Sequence, residues 1–255
     1  TDPYLLNNYY TPEALFGPNS AFGVNSLAGN TDLRSERTTS FEVGLDVRFL
    51  NNRLRLDATY YSMLSKDQII LLPVATTSGR NTRLTNAGEI SNKGIEVALS
   101  ATPISSQNGL NWDITLNLGH NRAIVESLPE GIEDNYPMVA NMFPNDGGTS
   151  GLDLVAVEGE LLGQLRGLTF VRDENNNIVH EDGLPLTSEE KSTVGSYQPD
   201  LRAGVYNTVT YRNLSLGFLF DGSFGGKIYS RTHALMNTGG SITNNDDPNL
   251  SLSTL

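Results

Sequence analysis

The sequence predicts an all-β chain, a segment of a large antiparallel transmembrane β-barrel with about six strands present and long extracellular loops. Three observations predict it: apolar and polar residues alternate over six segments, strictly in two of them and less strictly in four, short and long connections alternate between those segments, and no apolar run is long enough for a membrane helix. The longest such run is Ile69 to Ala75, against the ~18–20 residues that a helical span requires.

The first strand is the clearest. Phe41, Val43, Leu45, Val47 and Phe49 alternate with Glu42, Gly44, Asp46 and Arg48. A period of two places one set on each face of a strand, whereas a helix would scatter both sets around its axis. The second strand sets Leu54, Leu56, Ala58 and Tyr60 against Arg55, Asp57, Thr59 and Tyr61; the third sets Ile95, Val97, Leu99 and Ala101 against Gly94, Glu96, Ala98 and Ser100. In the fourth, Leu110, Trp112, Ile114, Leu116 and Leu118 oppose Asn111, Asp113, Thr115 and Asn117. The fifth places Leu201, Ala203, Val205, Val209 and Tyr211 opposite Arg202, Gly204, Tyr206, Thr208 and Thr210, with Asn207 as the exception on the apolar side. The sixth places Leu214, Leu216, Phe218 and Phe220 opposite Ser215, Gly217 and Asp221, with Leu219 as the exception.

Turns at Leu50–Arg53, Pro103–Gly109 and Arg212–Asn213 join the strands in pairs, and they are rich in turn-forming residues. Residues 1–36 are irregular chain before the strands. Hairpins follow at 37–64, 94–119 and 200–224, with extracellular loops at 65–93, 120–199 and 225–255. All tight turns therefore fall at one end of the sheet, as in outer-membrane barrels, which have short periplasmic turns and long outer loops.

Alternation also fits a soluble sandwich, and a secreted β-sandwich that binds carbohydrate is the alternative. Its strands would recur at even spacing, but here the connection 120–199 separates two hairpins. In the barrel, Phe41, Val43, Leu45, Val47, Trp112, Ile114, Leu116 and Phe218 face outer-membrane lipid. Asp46, Arg55, Asp57, Glu96, Asp113, Arg202 and Tyr206 face a wet lumen and are the candidates for cargo contact. A one-residue slip would turn Asp46 or Arg48 toward hydrocarbon, at about 2–4 kcal/mol for a basic residue at the midplane. Six strands are fewer than the roughly eight of the smallest such barrels, and lipid does not tolerate open edges. The chain is expected to be a piece of a larger barrel.

Composition narrows the function. A net charge of −12 argues against nucleic acid, and the absence of Cys removes a disulfide framework. Thr1 opens neither with Met nor with a signal peptide, so either a signal has been removed or this is an internal piece. The histidines, His120, His180 and His233, are far apart in sequence, and no metal site is expected of them. Asp173–Asn177 is oxygen-rich but lacks the acidic spacing and final Glu of a calcium loop, so it reads as a hairpin tip, as does Asn244–Asp247. Gly159–Leu168 is apolar enough to pack within a small loop subdomain or against a partner, and Ser188–Ser192 could form one helical turn. Tyr9, Tyr10 and Phe16 are expected to pack within the irregular N-terminal stretch, with stacking faces for sugars as the weaker alternative. No nucleophile–base pair or phosphate loop appears, so neither an enzyme nor a cofactor is expected.

The run Asn30-Thr31-Asp32-Leu33-Arg34-Ser35-Glu36-Arg37-Thr38, continuing to Glu42, Gly44 and Asp46, resembles the corresponding stretch of TonB-dependent outer-membrane receptors. Arg48–Leu54, Asp57–Tyr61, Asp67-Gln68-Ile69 and Asn86–Glu96 are similar to the SusC/RagA-type branch, as are Tyr197-Gln198-Pro199-Asp200 and Asp221–Gly226. The resemblance covers about Asn30 to Ser230. It implies a barrel of about 22 strands in the Gram-negative outer membrane, importing nutrients with energy from TonB. It also implies an N-terminal plug, a SusD-like surface lipoprotein over the outer loops, and glycan or peptide as cargo. The plug, the TonB-contacting segment and the last strands lie outside this sequence on that reading, and no energy-coupling residue is carried over.

Overall fold

The computed structural model describes residues 6–12, 19, 21–107, 109–132, 134–140, 142 and 151–238. Six long strands form one antiparallel sheet: β1 (Arg37–Phe49), β2 (Leu54–Lys66), β3 (Glu89–Ile104), β4 (Leu110–Ser127), β5 (Leu201–Tyr211) and β6 (Leu214–Phe224). They lie side by side in chain order, a meander with β1 and β6 at the edges. The three tight turns share one end. At the first, Leu50, Asn51 and Asn52 all take positive φ (51°, 56° and 67°), a conformation that Asn tolerates better than most residues.

Register preserves the expected segregation. Val43 faces Tyr60, which faces Ile95; Leu45, Ala58, Val97 and Leu118 form the next apolar row. Trp112, Ile114 and Leu116 join that face from β4, and Phe218 joins it through Asn207. Among the described residues no second layer covers this side: Phe41 is 63% exposed, Val43 54% and Leu45 57%. A soluble sandwich would bury these positions, whereas a barrel wall leaves them bare. The chain is a segment of a transmembrane barrel.

The buried core lies instead at the loop end. Leu84, Val125, Leu152, Val155, Ala156 and Leu165 are buried, and all but Val125 lie outside the six long strands. The third and fourth strands overrun the hairpin boundaries of 94 and 119, starting at Glu89 and ending at Ser127. Alternation is hidden beyond 119 because Gly119-His120-Asn121-Arg122 interrupts it. Since β5 starts only at Leu201, opposite Phe224, the last part of β4 has no β5 partner. Residues 159–162 occupy that edge: Leu162 N donates to Ala123 O (2.9 Å), Val125 N to Glu160 O (3.0 Å) and Gly159 N to Val125 O (2.8 Å). An exposed edge would leave these groups unsatisfied.

Loop 120–199 is thus a small subdomain. Its four-stranded sheet orders Tyr136–Val139, Asp153–Ala156, Gln164–Gly167 and Ser192–Ser196. Leu165, inside Gly159–Leu168, is buried within it, so this segment packs in its own subdomain. The Ser188–Ser192 stretch forms no helical turn: Ser188 Oγ accepts from Thr169 N (3.0 Å) and donates to Glu190 O (2.9 Å), holding a bend that leads into a strand. Loop 65–93 also has order, with Ile69–Pro73 against Thr82–Asn86 and a parallel addition from Leu27–Ala28. A further hairpin, Tyr10–Pro12 with Phe22–Val24, lies within 1–36, and a helix, Arg231–Thr238, within 225–255. Phe16 and Asn244–Asp247 lie outside the described residues.

Candidate functional site

Register places Asp46, Arg55, Asp57, Glu96, Asp113, Arg202 and Tyr206 on one face, because directly paired residues in an antiparallel ladder point the same way. Arg55 pairs through Ser100 and Thr115 to Tyr206, Asp57 pairs with Asp46, and Asp113 pairs with Thr208. The same face carries Leu219, opposite Tyr206.

These residues divide into two groups. Asp46 stands directly opposite Asp57, and Arg48 opposite Arg55, pairings that repel when isolated. One diagonal and two same-strand contacts resolve the conflict. Arg55 binds Asp46 through two bonds, Nε to Oδ1 at 3.2 Å and a terminal nitrogen to Oδ2 at 2.7 Å, and lies 3.6 Å from Asp57; Arg48 lies 3.7 Å from Asp46. Asp113 accepts a hydrogen bond from Thr102 Oγ1 at 2.7 Å. Asp46, Arg55, Asp57 and Asp113 are therefore held by wall neighbours. Glu96, Arg202 and Tyr206 have no side-chain hydrogen bond or ion pair among the described residues.

Two rows of paired residues cross the sheet around Glu96 and Arg202. One runs Thr59, Glu96, Gly119, Arg202, Ser223; the next runs Asp57, Ala98, Asn117, Gly204, Asp221. Small residues in the middle of both rows leave a groove of about 490 Å³. A Cβ at Gly119 would meet nothing within 4 Å, so the floor is open there; one at Gly204 would lie 3.1 Å from an Asp221 carboxylate oxygen. Asp57 and Glu96 flank one side, Arg202 and Asp221 the other. Asp221 falls on the polar side by simple parity, yet it was not among the cargo candidates. The signal that identifies it is the glycine opposite it.

Tyr61 adds a second glycine contact. Its ring lies over Gly94, where any Cβ would overlap the phenol, so the Gly94 within Asn86–Glu96 makes room for an aromatic neighbour.

At the loop end, Gln198 of the Tyr197–Asp200 stretch is 9% exposed. Its Oε1 accepts from Ala123 N (3.0 Å), and its Nε2 donates to Ala123 O (3.0 Å) and Leu162 O (2.6 Å). One side-chain amide thus continues the ladder on β4 and ties it to the subdomain. Gly225 and Gly226 pack beside this stretch, both at φ 74°, where a Cβ on Gly226 would press on the carbonyls of Tyr197 and Gln198.

Asp173 holds a hairpin tip. It accepts from Asn175 N (2.9 Å), Asn177 N (2.8 Å) and Asn177 Nδ2 (3.1 Å), while Asn176 takes φ 67°. The Asn177 side-chain and backbone donors hold its carboxyl below the usual aspartate range. His120 bonds the Asp200 carbonyl and His180 the Ile178 carbonyl. Among the described residues no group of three or more His, Asp or Glu side chains is arranged to hold a metal.

Comparison with known proteins agrees with this geometry. The family model for the TonB dependent receptor-like β-barrel matches residues 3–253. The TonB-dependent receptor SusC of Bacteroides thetaiotaomicron is 25% identical over 258 residues, covering 97% of this chain and 25% of SusC. TonB-dependent receptor P26 of Formosa agariphila is 26% identical over 226 residues, covering 79% of this chain and 21% of P26. The RagAB peptide importer in its 'closed-closed' state superposes with a TM-score of 0.68 at 23% identity, over 88% of this chain and 25% of that one. The chain spans between a fifth and a quarter of the length of these relatives.

Proposed function

This chain belongs to the TonB dependent receptor-like β-barrel family of the Gram-negative outer membrane, and from that premise we propose that it forms wall and outer loops of an active nutrient transporter. The six-stranded sheet supports this reading most directly. Its bare apolar side suits lipid, its charged side suits a water-filled lumen, and neither edge has a strand partner among the described residues. Lipid-facing roles then fall to Phe41, Val43, Leu45, Val47, Trp112, Ile114, Leu116 and Phe218. Of the candidates, Glu96, Arg202 and Tyr206 are the lumen residues left free for cargo. Asp46, Arg55, Asp57 and Asp113 chiefly order the wall.

Cargo in this reading is a glycan or a peptide, drawn in with energy supplied through TonB by parts of the protein outside this chain. A SusD-like lipoprotein covers the loop end. Leu71, Met138 and Val139 are exposed there, and Tyr136 Oη donates to Leu71 O (2.9 Å), joining loops 65–93 and 120–199 into one surface. The test is uptake of labelled oligosaccharides and oligopeptides by cells carrying or lacking the parent gene, with and without a proton-motive force. Energised uptake that disappears with the gene supports the reading. Equal uptake of every cargo in both strains overturns it.

A further inference from the structure

We infer that Lys93 and Arg122 bind the phosphate of an anionic lipid in the outer leaflet, an assignment that rests on the lipid-facing orientation proposed above. The two residues are paired directly across β3 and β4, so they point to the same side of the sheet. Parity identifies the side: Lys93 is two residues from Ile95, and Arg122 is two from His120, the partner of Ile95. The row Phe41, Ser62, Lys93, Arg122 therefore follows the row Val43, Tyr60, Ile95, His120 on the apolar face, about 7 Å nearer the long loops. The outward apolar series of β3 and β4 ends at Ile95 and Leu118, and charge takes over at Lys93 and Arg122. Tyr60, 40% exposed in the row below, is a residue type that collects where hydrocarbon gives way to headgroups.

Both basic residues are exposed, and neither side chain has a hydrogen bond or ion pair among the described residues. Like charges set directly opposite each other repel. The acids nearer the loops on this face are engaged elsewhere: Glu89 holds Lys66 Nζ at 2.9 Å, and Glu126 accepts from Ser91 Oγ. An anion between Lys93 and Arg122 removes the repulsion. Their backbones stand about 5 Å apart, so one phosphate accepts from both, and the Arg122 guanidinium can hold two of its oxygens. A lipid phosphate suits the place better than a free one. Its acyl chains continue down the bare row below and bury apolar surface at Ile95, Tyr60 and Val43.

The experiment uses the full parent protein purified in dodecyl maltoside. Fluorescence polarisation follows binding of NBD-labelled phosphatidic acid and of NBD-labelled diacylglycerol, which has the same chains and no phosphate. The unaltered protein is compared with Lys93→Gln, Arg122→Gln, the double variant, and Arg48→Gln, which removes one positive charge from the opposite face. Each single substitution should weaken phosphatidic acid about threefold and the pair about tenfold. Arg48→Gln should bind it as the unaltered protein does, and excess inorganic phosphate at matched ionic strength should not displace it. A double variant that binds phosphatidic acid as tightly as the unaltered protein overturns the assignment. So does an equal loss in Arg48→Gln, or displacement by inorganic phosphate. Diacylglycerol needs only the apolar wall and should bind every variant alike, so the basic pair can fail while the lipid-facing orientation stands. Absence of diacylglycerol binding in the unaltered protein would contradict both.

Discussion

Trp112 Nε1 donates a hydrogen bond to the side-chain oxygen of Asn207, 3.1 Å away, in the middle of the apolar face. The two residues sit on paired strands, Trp112 opposite Val209 and Asn207 opposite Ile114. Asn207 is only 6% exposed. Each residue supplies what the other lacks, a donor for the amide oxygen and an acceptor for the indole. In the proposed lipid-facing orientation the pairing makes a polar side chain tolerable on this surface, since hydrocarbon offers no water to replace the bond.

Asn207→Ala removes the acceptor and leaves the indole N–H without a partner. The substitution should destabilise the parent protein by about 1–3 kcal/mol, read as a lower midpoint of urea unfolding in detergent. Trp112→Phe combined with Asn207→Leu removes both polar groups and should recover most of that loss. A double variant as unstable as Asn207→Ala would show that the bond is not the reason for the asparagine.

Gln198→Ala should release the loop subdomain from β4 while leaving the six-stranded wall intact. It removes hydrogen bonds to Ala123 and Leu162 from a buried position, a loss of about 1–3 kcal/mol for groups left unsatisfied. Hydrogen exchange should accelerate at Ala123, Val125 and Leu162 and stay unchanged at Leu56 and Leu99. Uniform acceleration through the wall would contradict this.

Gly94→Ala should displace Tyr61 and destabilise the β2–β3 pair by about 1–3 kcal/mol, the usual range for overpacking. Combining it with Tyr61→Ala removes the overlap, so the double variant should be less destabilised than the sum of the two single variants. Strict additivity in unfolding measurements would contradict the contact.

The Asp173 turn should loosen in acid. Its carboxyl titrates lower in the folded chain than in the unfolded one, so its contribution is present in full above the ordinary aspartate value of about 4. It declines as pH falls through the lower folded value. Exchange at the Asn175 and Asn177 amides should rise over that acid window, and Asp173→Ala should remove the pH dependence. An identical pH profile in the variant would exclude the carboxylate as its source.

The strands from Phe41 to Phe49 and from Leu110 to Leu118 were legible in the sequence because alternation is a direct image of the two faces. The continuation of β4 through Arg122 was not, because Gly119-His120-Asn121-Arg122 carries no alternation and the partners of that edge come from 159–162 and from Gln198. The subdomain's short strands escaped notice for a similar reason: each is four or five residues long, too short for periodicity to register. Parity alone placed every lumen candidate on one face. It could not separate Arg55, bound to Asp46, from Arg202, since that difference depends on which charges the register sets diagonally adjacent. The groove was hidden too, because it arises from small residues on three different strands.

In the proposed orientation Val43, Leu45 and Leu116 meet lipid while Asp57, Glu96 and Arg202 meet water. The chain has no native Cys, so each position can be changed singly to Cys in the parent protein, spin-labelled in outer-membrane vesicles, and probed with oxygen and with a water-soluble nickel chelate. Labels at 43, 45 and 116 should collide mainly with oxygen, and labels at 57, 96 and 202 mainly with nickel. The same nickel accessibility at both sets of positions would overturn this orientation.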